Sequence, residues 1–257
     1  MSVYCITFSP TGGTKAVADI LSGAVSAQYQ SLELCCREET LTLPELTPQD
    51  LCIVAVPSFA GRVPGLCTAR LRALQGNGAA AVAVVVYGNR AYDDTLSELA
   101  DILRRAGFRV PAACTAIAEH SVIRRFAAGR PDESDRAELT AFGQRIAALH
   151  QAGTLTGELC VPGNVPAEPR RDGPMAIITT GDCTGCRSCV ARCPAEAIDP
   201  EQIATDPVRC VGCMRCTVVC QRGARVLDAA KAAALDAHLA PLCAEYRHNE
   251  FFLCHEA

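Results

Sequence analysis

The sequence predicts an open, doubly wound α/β sheet of five parallel strands, followed by a small α+β unit organised around cysteine. Three observations point there. Residues 1–153 alternate short β-branched runs with segments of helical periodicity, the rhythm of βαβ units. The run Ala79–Tyr87 (AAAVAVVVY) has no polar face, as a central parallel strand covered on both sides requires. Eight of the 17 cysteines fall between Cys183 and Cys220, in a chain without tryptophan. The 257 residues suit one or two domains. At 49% hydrophobic and 20% charged, the composition excludes a mostly disordered or fibrous chain.

Val3–Phe8 (VYCITF) is short and rich in β-formers, and makes the first strand. Thr14–Ala27 carries Ala, Val, Ile and Leu at helical spacing. Ser31–Leu34 is a weak strand, and Leu51–Val56 (LCIVAV) has the length and content of a buried one. Gly65–Leu74 reads as a short helix, ahead of the strand at Ala79–Tyr87. Asp94–Ala106 is a helix ended by Gly107, and Phe108–Ala116 is the fifth strand. Asp132–His150 is a long helix with Asp132 at its N-cap and Gly153 past its end. Residues 154–174, rich in Pro and Gly and without apolar period, predict a flexible linker. Residues 175–228 form the cysteine-rich unit. Residues 229–257 hold an Ala-rich helix over 229–242 and a tail over 243–257.

No stretch reaches the ~18 uninterrupted apolar residues of a membrane span. The start, MSVYCITFSPTGG, has no basic n-region and no long apolar h-region, so no signal peptide is expected. A net charge of −4 gives no overall pull towards nucleic acid or anionic membrane. The odd number of cysteines rules out complete intrachain pairing. A reducing, cytoplasmic setting and metal or redox chemistry are therefore expected. Cys5, Cys52 and Cys114 lie inside apolar strands and read as core thiols, and Cys35 and Cys36 as structural. Arg124, Arg125 and Arg130 read as a small solvated basic group.

The cysteine-rich unit is an internal repeat. DCTGCRSCVARCPAEAI at 182–198 is echoed by RCVGCMRCTVVCQRGAR at 209–225, an offset of 27 residues. Each copy is C-x2-C-x2-C-x3-C. Three cysteines at i, i+3 and i+6 wrap one side of a cubane, and the fourth points to the other cluster. The spacing therefore assigns Cys183, Cys186, Cys189 and Cys220 to one [4Fe-4S] cluster, and Cys210, Cys213, Cys216 and Cys193 to a second. Structural zinc sites use two cysteine pairs, and a run of three plus one, given twice, oversupplies each. The unit resembles the bacterial two-cluster ferredoxins over residues 177–227. It departs from them at Gln221, where that family usually has Pro, which bears on the loop and potential of the cluster that Cys220 ligates.

The first strand runs into Ser9-Pro10-Thr11-Gly12-Gly13-Thr14 and then a helix. Strand, hydroxyl- and glycine-rich loop, helix is a phosphate cradle: backbone N–H groups, hydroxyls and the helix N-terminus face the anion. The GK[ST] ending of a Walker loop and the G-x-G-x-x-G of dinucleotide folds are both missing. The loop resembles the S/T-x-T-G-x-T loop of flavodoxins, which implies that Ser9, Thr11, Gly12, Gly13 and Thr14 hold the phosphate of FMN. That resemblance sets the isoalloxazine between the loops after the third and fourth strands, Pro57–Pro64 and Tyr87–Asp94. Candidate contacts there are Ser58, Phe59, Gly61, Tyr87, Gly88, Asn89, Tyr92 and Asp93, which offer aromatic faces and backbone donors to a flat ring. Trp, which flavodoxins often place beside the flavin, is absent. After the fifth strand, His120 has a pKa range suited to proton transfer to reduced flavin.

In combination, FSPTGGT, the GR-P loop, YGNRAYDD, the EHS segment and the two cysteine runs resemble the prokaryotic flavodoxin–ferredoxin fusions. Asn249–Leu253 also resembles the end of that family. The resemblance implies an electron-transfer iron–sulfur flavoprotein with FMN, two [4Fe-4S] clusters and redox partner proteins that the sequence does not identify. Two other functions are compatible with the same residues. One is a flavin-dependent reductase of a small acceptor such as a quinone. The other is a non-catalytic ferredoxin subunit or redox sensor with a vestigial flavin site.

Overall fold

The computed structural model describes residues 2–38, 44–168 and 170–254. Six strands form one sheet in the order β2-β1-β3-β4-β5-β8. The first five are β1 (Val3–Thr7), β2 (Gln30–Glu33), β3 (Leu51–Pro57), β4 (Ala80–Tyr87) and β5 (Arg109–Ile117), all parallel. The order 2-1-3-4-5 is the flavodoxin-like form of the doubly wound sheet, whose switch point lies between β1 and β3. β4 is buried along its whole length, which explains its lack of a polar face.

Helices cover both faces. On one, α1 (Gly13–Val25) and α4 (Glu133–Gln151) bury Val17, Leu21, Leu139, Phe142 and Ile146 against Ile53, Val82 and Val84. On the other, α2 (Gly65–Leu71) and α3 (Thr95–Arg105) bury Leu71, Leu96, Leu99 and Leu103 against Val54, Val56 and Val85. Asp132 caps α4 as its sequence position implies. Its carboxylate accepts the Asp135 amide at 3.0 Å, and Asp135 returns the bond to the Asp132 amide at 2.9 Å.

Two parts of the chain depart from expectation. The 154–174 linker is docked along the first unit. Leu155 and Leu159 are buried, and the Leu159 amide donates to the Val110 carbonyl at 3.0 Å. Asn164 is held by Asp94 and Ser97, and the Glu168 carbonyl accepts from Arg62 at 2.7 Å. Asp172 accepts the amides of Gly65 and Leu66, both at 3.0 Å, at the start of α2. A segment with so many fixed partners is a strap, and the random-coil description does not apply to it.

The second departure is the tail. β8 (Glu250–Leu253) returns as an antiparallel strand on β5, pairing Ala113 with Phe252 and Cys114 with Phe251. Phe251 packs on Phe142 with ring centroids 4.7 Å apart. An apolar strand edge invites another chain, and β8 covers it. Ahead of it, α7 (Ala229–Leu239) also lies against the first unit, with Leu239 buried beside Phe126 and Cys243. Residues 229–254 therefore belong structurally with the sheet. Arg130 is not solvated: its guanidinium forms a buried ion pair with Asp135.

The cysteine unit is small. β6 (Ile177–Thr179) and β7 (Arg225–Leu227) form a two-stranded antiparallel sheet. Between them lie two single-turn helices, α5 (Ser188–Ala191) and α6 (Arg215–Val218). No helix among the described residues is long and apolar enough to cross a membrane.

Candidate cofactor sites

The loop Ser9–Thr14 sits at the carboxyl end of β1. Gly12 occupies the N-cap of α1 with φ +98°, a left-handed backbone that glycine adopts without a Cβ penalty. The Ser9 hydroxyl accepts the Lys15 amide at 2.9 Å, so Ser9 braces the loop from within. The one basic side chain of the turn, Lys15, is paired with Asp19 at 2.6 Å. What remains to meet an anion is neutral: hydroxyls, amide N–H groups and the positive end of a 13-residue helix.

Above this loop opens a cleft of about 420 Å³. Thr11, Gly13 and Thr14 line it from β1–α1, and Ser58 and Phe59 from the loop after β3. Tyr87, Gly88 and Asp93 line it from the loop after β4, and His120 from the loop after β5. Burial pushes the Tyr87 phenol up to about 12, so it stays neutral.

Five of the sequence candidates do not line the cleft. Ser9 and Gly12 shape the phosphate loop. Gly61 makes room for the Asp93 side chain behind the wall, and its carbonyl accepts the Asp94 amide at 3.1 Å. Asn89 turns away, donating to the carbonyls of Cys243 at 2.9 Å and Glu245 at 2.7 Å; it anchors the C-terminal segment. Tyr92 packs edge-on against Tyr87, centroids 5.5 Å apart. It lines a neighbouring cleft instead, with Tyr246 and His248.

His120 is held as a neutral ring. Its Nδ1 accepts the amides of Val122 at 3.2 Å and Ile123 at 3.0 Å, so that nitrogen carries no proton. Burial lowers its pKa further. The group can offer an Nε2–H hydrogen bond, whereas a cationic proton donor is disfavoured.

The far wall of the cleft comes from segments that the sequence did not connect with it. Arg170 and Gly173 arrive from the strap, Met175 from the start of the cysteine unit, Val211 and Gly212 from its second repeat, and Leu235, His238 and Leu239 from α7. No short-range pattern marks these residues, because each reaches the site through long-range docking.

The eight cysteines line two further cavities. Cys183, Cys186 and Cys189 share one with Cys220. Cys210, Cys213 and Cys216 share one with Cys193. Each fourth cysteine thus faces the trio of the other repeat. The two copies are also alike in backbone. Gly185 and Gly212 have φ +69° and +67°, and Arg187 and Met214 +60° and +63°. The Cys193 sulfur accepts the Ala197 amide at 3.3 Å, and the Cys220 sulfur the Ala224 amide at 3.2 Å. Among the described residues, no three His, Cys, Asp or Glu side chains converge as the shell of a single metal ion does. Four thiols spread round a cavity, with amides aimed at their sulfurs, form a donor set suited to iron–sulfur clusters.

Cavity and cleft adjoin. Val211 and Gly212 line both the flavin-type cleft and the cavity of Cys193, Cys210, Cys213 and Cys216. The two units are fastened beside this wall. Buried Arg70 donates to the carbonyls of Leu34 and, at 3.0 Å, Pro194. Arg215 donates to the Ser9 carbonyl at 3.3 Å, and Arg37 pairs with Glu196 at 2.9 Å.

Residues 182–226 match the family described as the 4Fe-4S dicluster domain. No curated protein matches the chain. Among solved structures, a Streptococcus pneumonia TIGR4 flavodoxin is 18% identical with a TM-score of 0.42, the match covering 58% of this chain and 99% of that one. A flavodoxin from the domain Archaea is 16% identical with a TM-score of 0.40, over 59% and 99% of the two chains. A short-chain flavodoxin associated with a bacterial microcompartment is 15% identical with a TM-score of 0.41, over 57% and 99%.

Proposed function

We propose that the chain is an iron–sulfur flavoprotein that carries electrons between an FMN and two [4Fe-4S] clusters. One observation supports this above the others: the cleft over the phosphate loop and the nearer cysteine cavity share Val211 and Gly212 as a common wall. When bound, FMN supplies two-electron chemistry that can be divided into single steps, and each cluster supplies one-electron chemistry.

The residues divide the work. Thr11, Gly13 and Thr14 hold the phosphate, with Ser9 and Gly12 fixing the loop. Phe59, Tyr87 and Gly88 border the ring, and His120 stands in the wall as a neutral imidazole whose Nε2 carries the proton. Met175, Leu235 and Leu239 cover it and exclude water. Cys183, Cys186, Cys189 and Cys220 hold one cluster, and Cys193, Cys210, Cys213 and Cys216 the other. Because the strap and the C-terminal strand are docked, the two sites are held together by structure, without diffusion of a tethered module. The abundance of cysteine, with eight thiols lining the two cluster cavities, suits a reducing cytoplasm. Redox partner proteins are the expected donors and acceptors.

The deciding experiment is anaerobic purification with cofactor analysis. One FMN with ~8 Fe and ~8 acid-labile sulfides per chain is expected from this ligation pattern. Stoichiometric zinc without sulfide, or a chain that takes up no flavin when FMN is added, overturns the reading.

A second reading, reduction of a small acceptor, is favoured by the neighbouring cleft of about 480 Å³ that shares Tyr87, Ala91 and Asp93 with the flavin-type cleft. Steady-state turnover of quinones would select it.

A further inference from the structure

Position 225 breaks the internal repeat. The offset of 27 residues sets Ile198 of the first copy against Arg225 of the second. Ile198 is buried in an apolar cluster with Cys189 and Ile203. Arg225 is more buried still, at 2% exposure. A guanidinium does not give up its proton inside a protein, so a full positive charge lies in the interior of the cysteine unit.

Its protein partners are all neutral. Nη1 donates to the Thr179 hydroxyl and the Ile203 carbonyl, both at 2.6 Å, and Nη2 to the Thr205 hydroxyl. Nε has no protein partner. No carboxylate among the described residues is within ion-pair distance of it. A buried cation without a counter-ion is strongly destabilising. The anions that can offset it are the cysteine thiolates. Arg225 lines the cavity of Cys183, Cys186, Cys189 and Cys220, and Ile203, which accepts its hydrogen bond, belongs to the apolar cluster against which Cys193 and Cys216 of the other cavity pack.

We propose that Arg225 is a shared tuning residue: a fixed buried charge between the two cysteine sites that stabilises the reduced form of both clusters and so raises both potentials. The inference rests on the dicluster reading above. Thr179, Ile203 and Thr205 orient the guanidinium, and burial shields it from salt. Each cluster gains one negative charge when it takes up one electron, and Arg225 neither gains nor loses a proton in that step.

The test is an anaerobic redox titration followed by electron paramagnetic resonance on the full-length protein. In Arg225→Gln, the reduced-to-oxidised ratio of each cluster at a fixed potential should fall by about tenfold, a shift of about 59 mV to more negative potential. The shift should be insensitive to ionic strength. Unchanged potentials in a fully loaded Arg225→Gln protein overturn the proposal, as does a shift confined to one cluster. Should the neutral variant fail to assemble clusters, Arg225→Lys decides. Loaded clusters with near-wild-type potentials support a charge role, and failure of Arg225→Lys as well assigns the residue to hydrogen bonding alone and overturns it. Wild-type protein without iron and sulfide would instead refute the dicluster reading, so the two failures are distinguishable.

Discussion

His120 packs directly on the backbone of Gly88: a Cβ at Gly88 would lie 2.5 Å from the His120 Cδ2 and 2.6 Å from its Cβ. Two loops of the candidate flavin site, after β4 and after β5, thus interlock at a point where any side chain is excluded. Gly88→Ala should push His120 off its amide donors. Overpacking of this kind costs about 1–3 kcal/mol. If the cost falls on the bound form, FMN affinity drops by about tenfold or more. Fluorescence-quenching titration of the variant with FMN measures it, and wild-type affinity would remove this contact from the site.

Thr11 tests the phosphate loop. Thr11→Asp sets a carboxylate against the phosphate in a loop whose own basic side chain, Lys15, is already paired with Asp19. Two like charges ~4 Å apart at an effective dielectric of ~20 repel by about 4 kcal/mol. The expected loss of FMN affinity is at least a hundredfold, with circular dichroism unchanged. A folded variant with undiminished affinity would mean that the phosphate lies elsewhere.

Crossed ligation is tested at Cys220. It faces the cavity of Cys183, Cys186 and Cys189, although it belongs to the other run. Cys220→Ala should therefore perturb the signal of the cluster held by that trio, and Mössbauer spectra of the iron-57 protein report which cluster changes. Damage restricted to the Cys210–Cys216 cluster would reverse the assignment.

Asp135 ties the sheet to its last strand. It accepts from Arg130, the Asp132 amide and, at 2.9 Å, Asn249, which precedes β8. Burial pushes its carboxyl up, but the Arg130, Asp132 and Asn249 bonds outweigh that and leave it below the ordinary value. The folded pKa is thus below the unfolded one. Its stabilisation is fully present above about pH 4 and is lost as pH falls through the folded value. Asp135→Asn should cost about 3 kcal/mol at neutral pH by stranding buried Arg130. It should also flatten the acid limb of the stability–pH curve. Urea melts at several pH values would show an unchanged slope if Asp135 were not the titrating group.

What the sequence showed and concealed follows from the range of the interactions. β4 was legible because burial on both faces leaves no polar residue between Ala80 and Tyr87. The cysteine repeat was legible because ligation fixes spacing within a few residues. The strap was not, because its anchors are single bonds to distant side chains such as Asp94 and Arg62, which leave no local period. β8 was hidden for a similar reason: four residues pair with β5 from more than a hundred positions away. Asn89 and Tyr92 sat in the right loop, yet their side chains serve the C-terminal segment. Which side of a loop a residue faces depends on a partner that the loop itself does not encode.

The return of β8 to β5 also sets an order of events during synthesis. Every residue of the cysteine unit leaves the ribosome before the strand that closes the sheet. Until Glu250–Leu253 emerges, the long apolar β5 has an open edge, while eight thiols are already exposed to whatever machinery loads iron and sulfur. Sheet completion therefore comes after the thiols emerge, and a chain released short of residue 250 would carry both a sticky edge and any clusters it had acquired. Quality control that removes chains with open edges would discard incomplete translation products even when their metal sites were full.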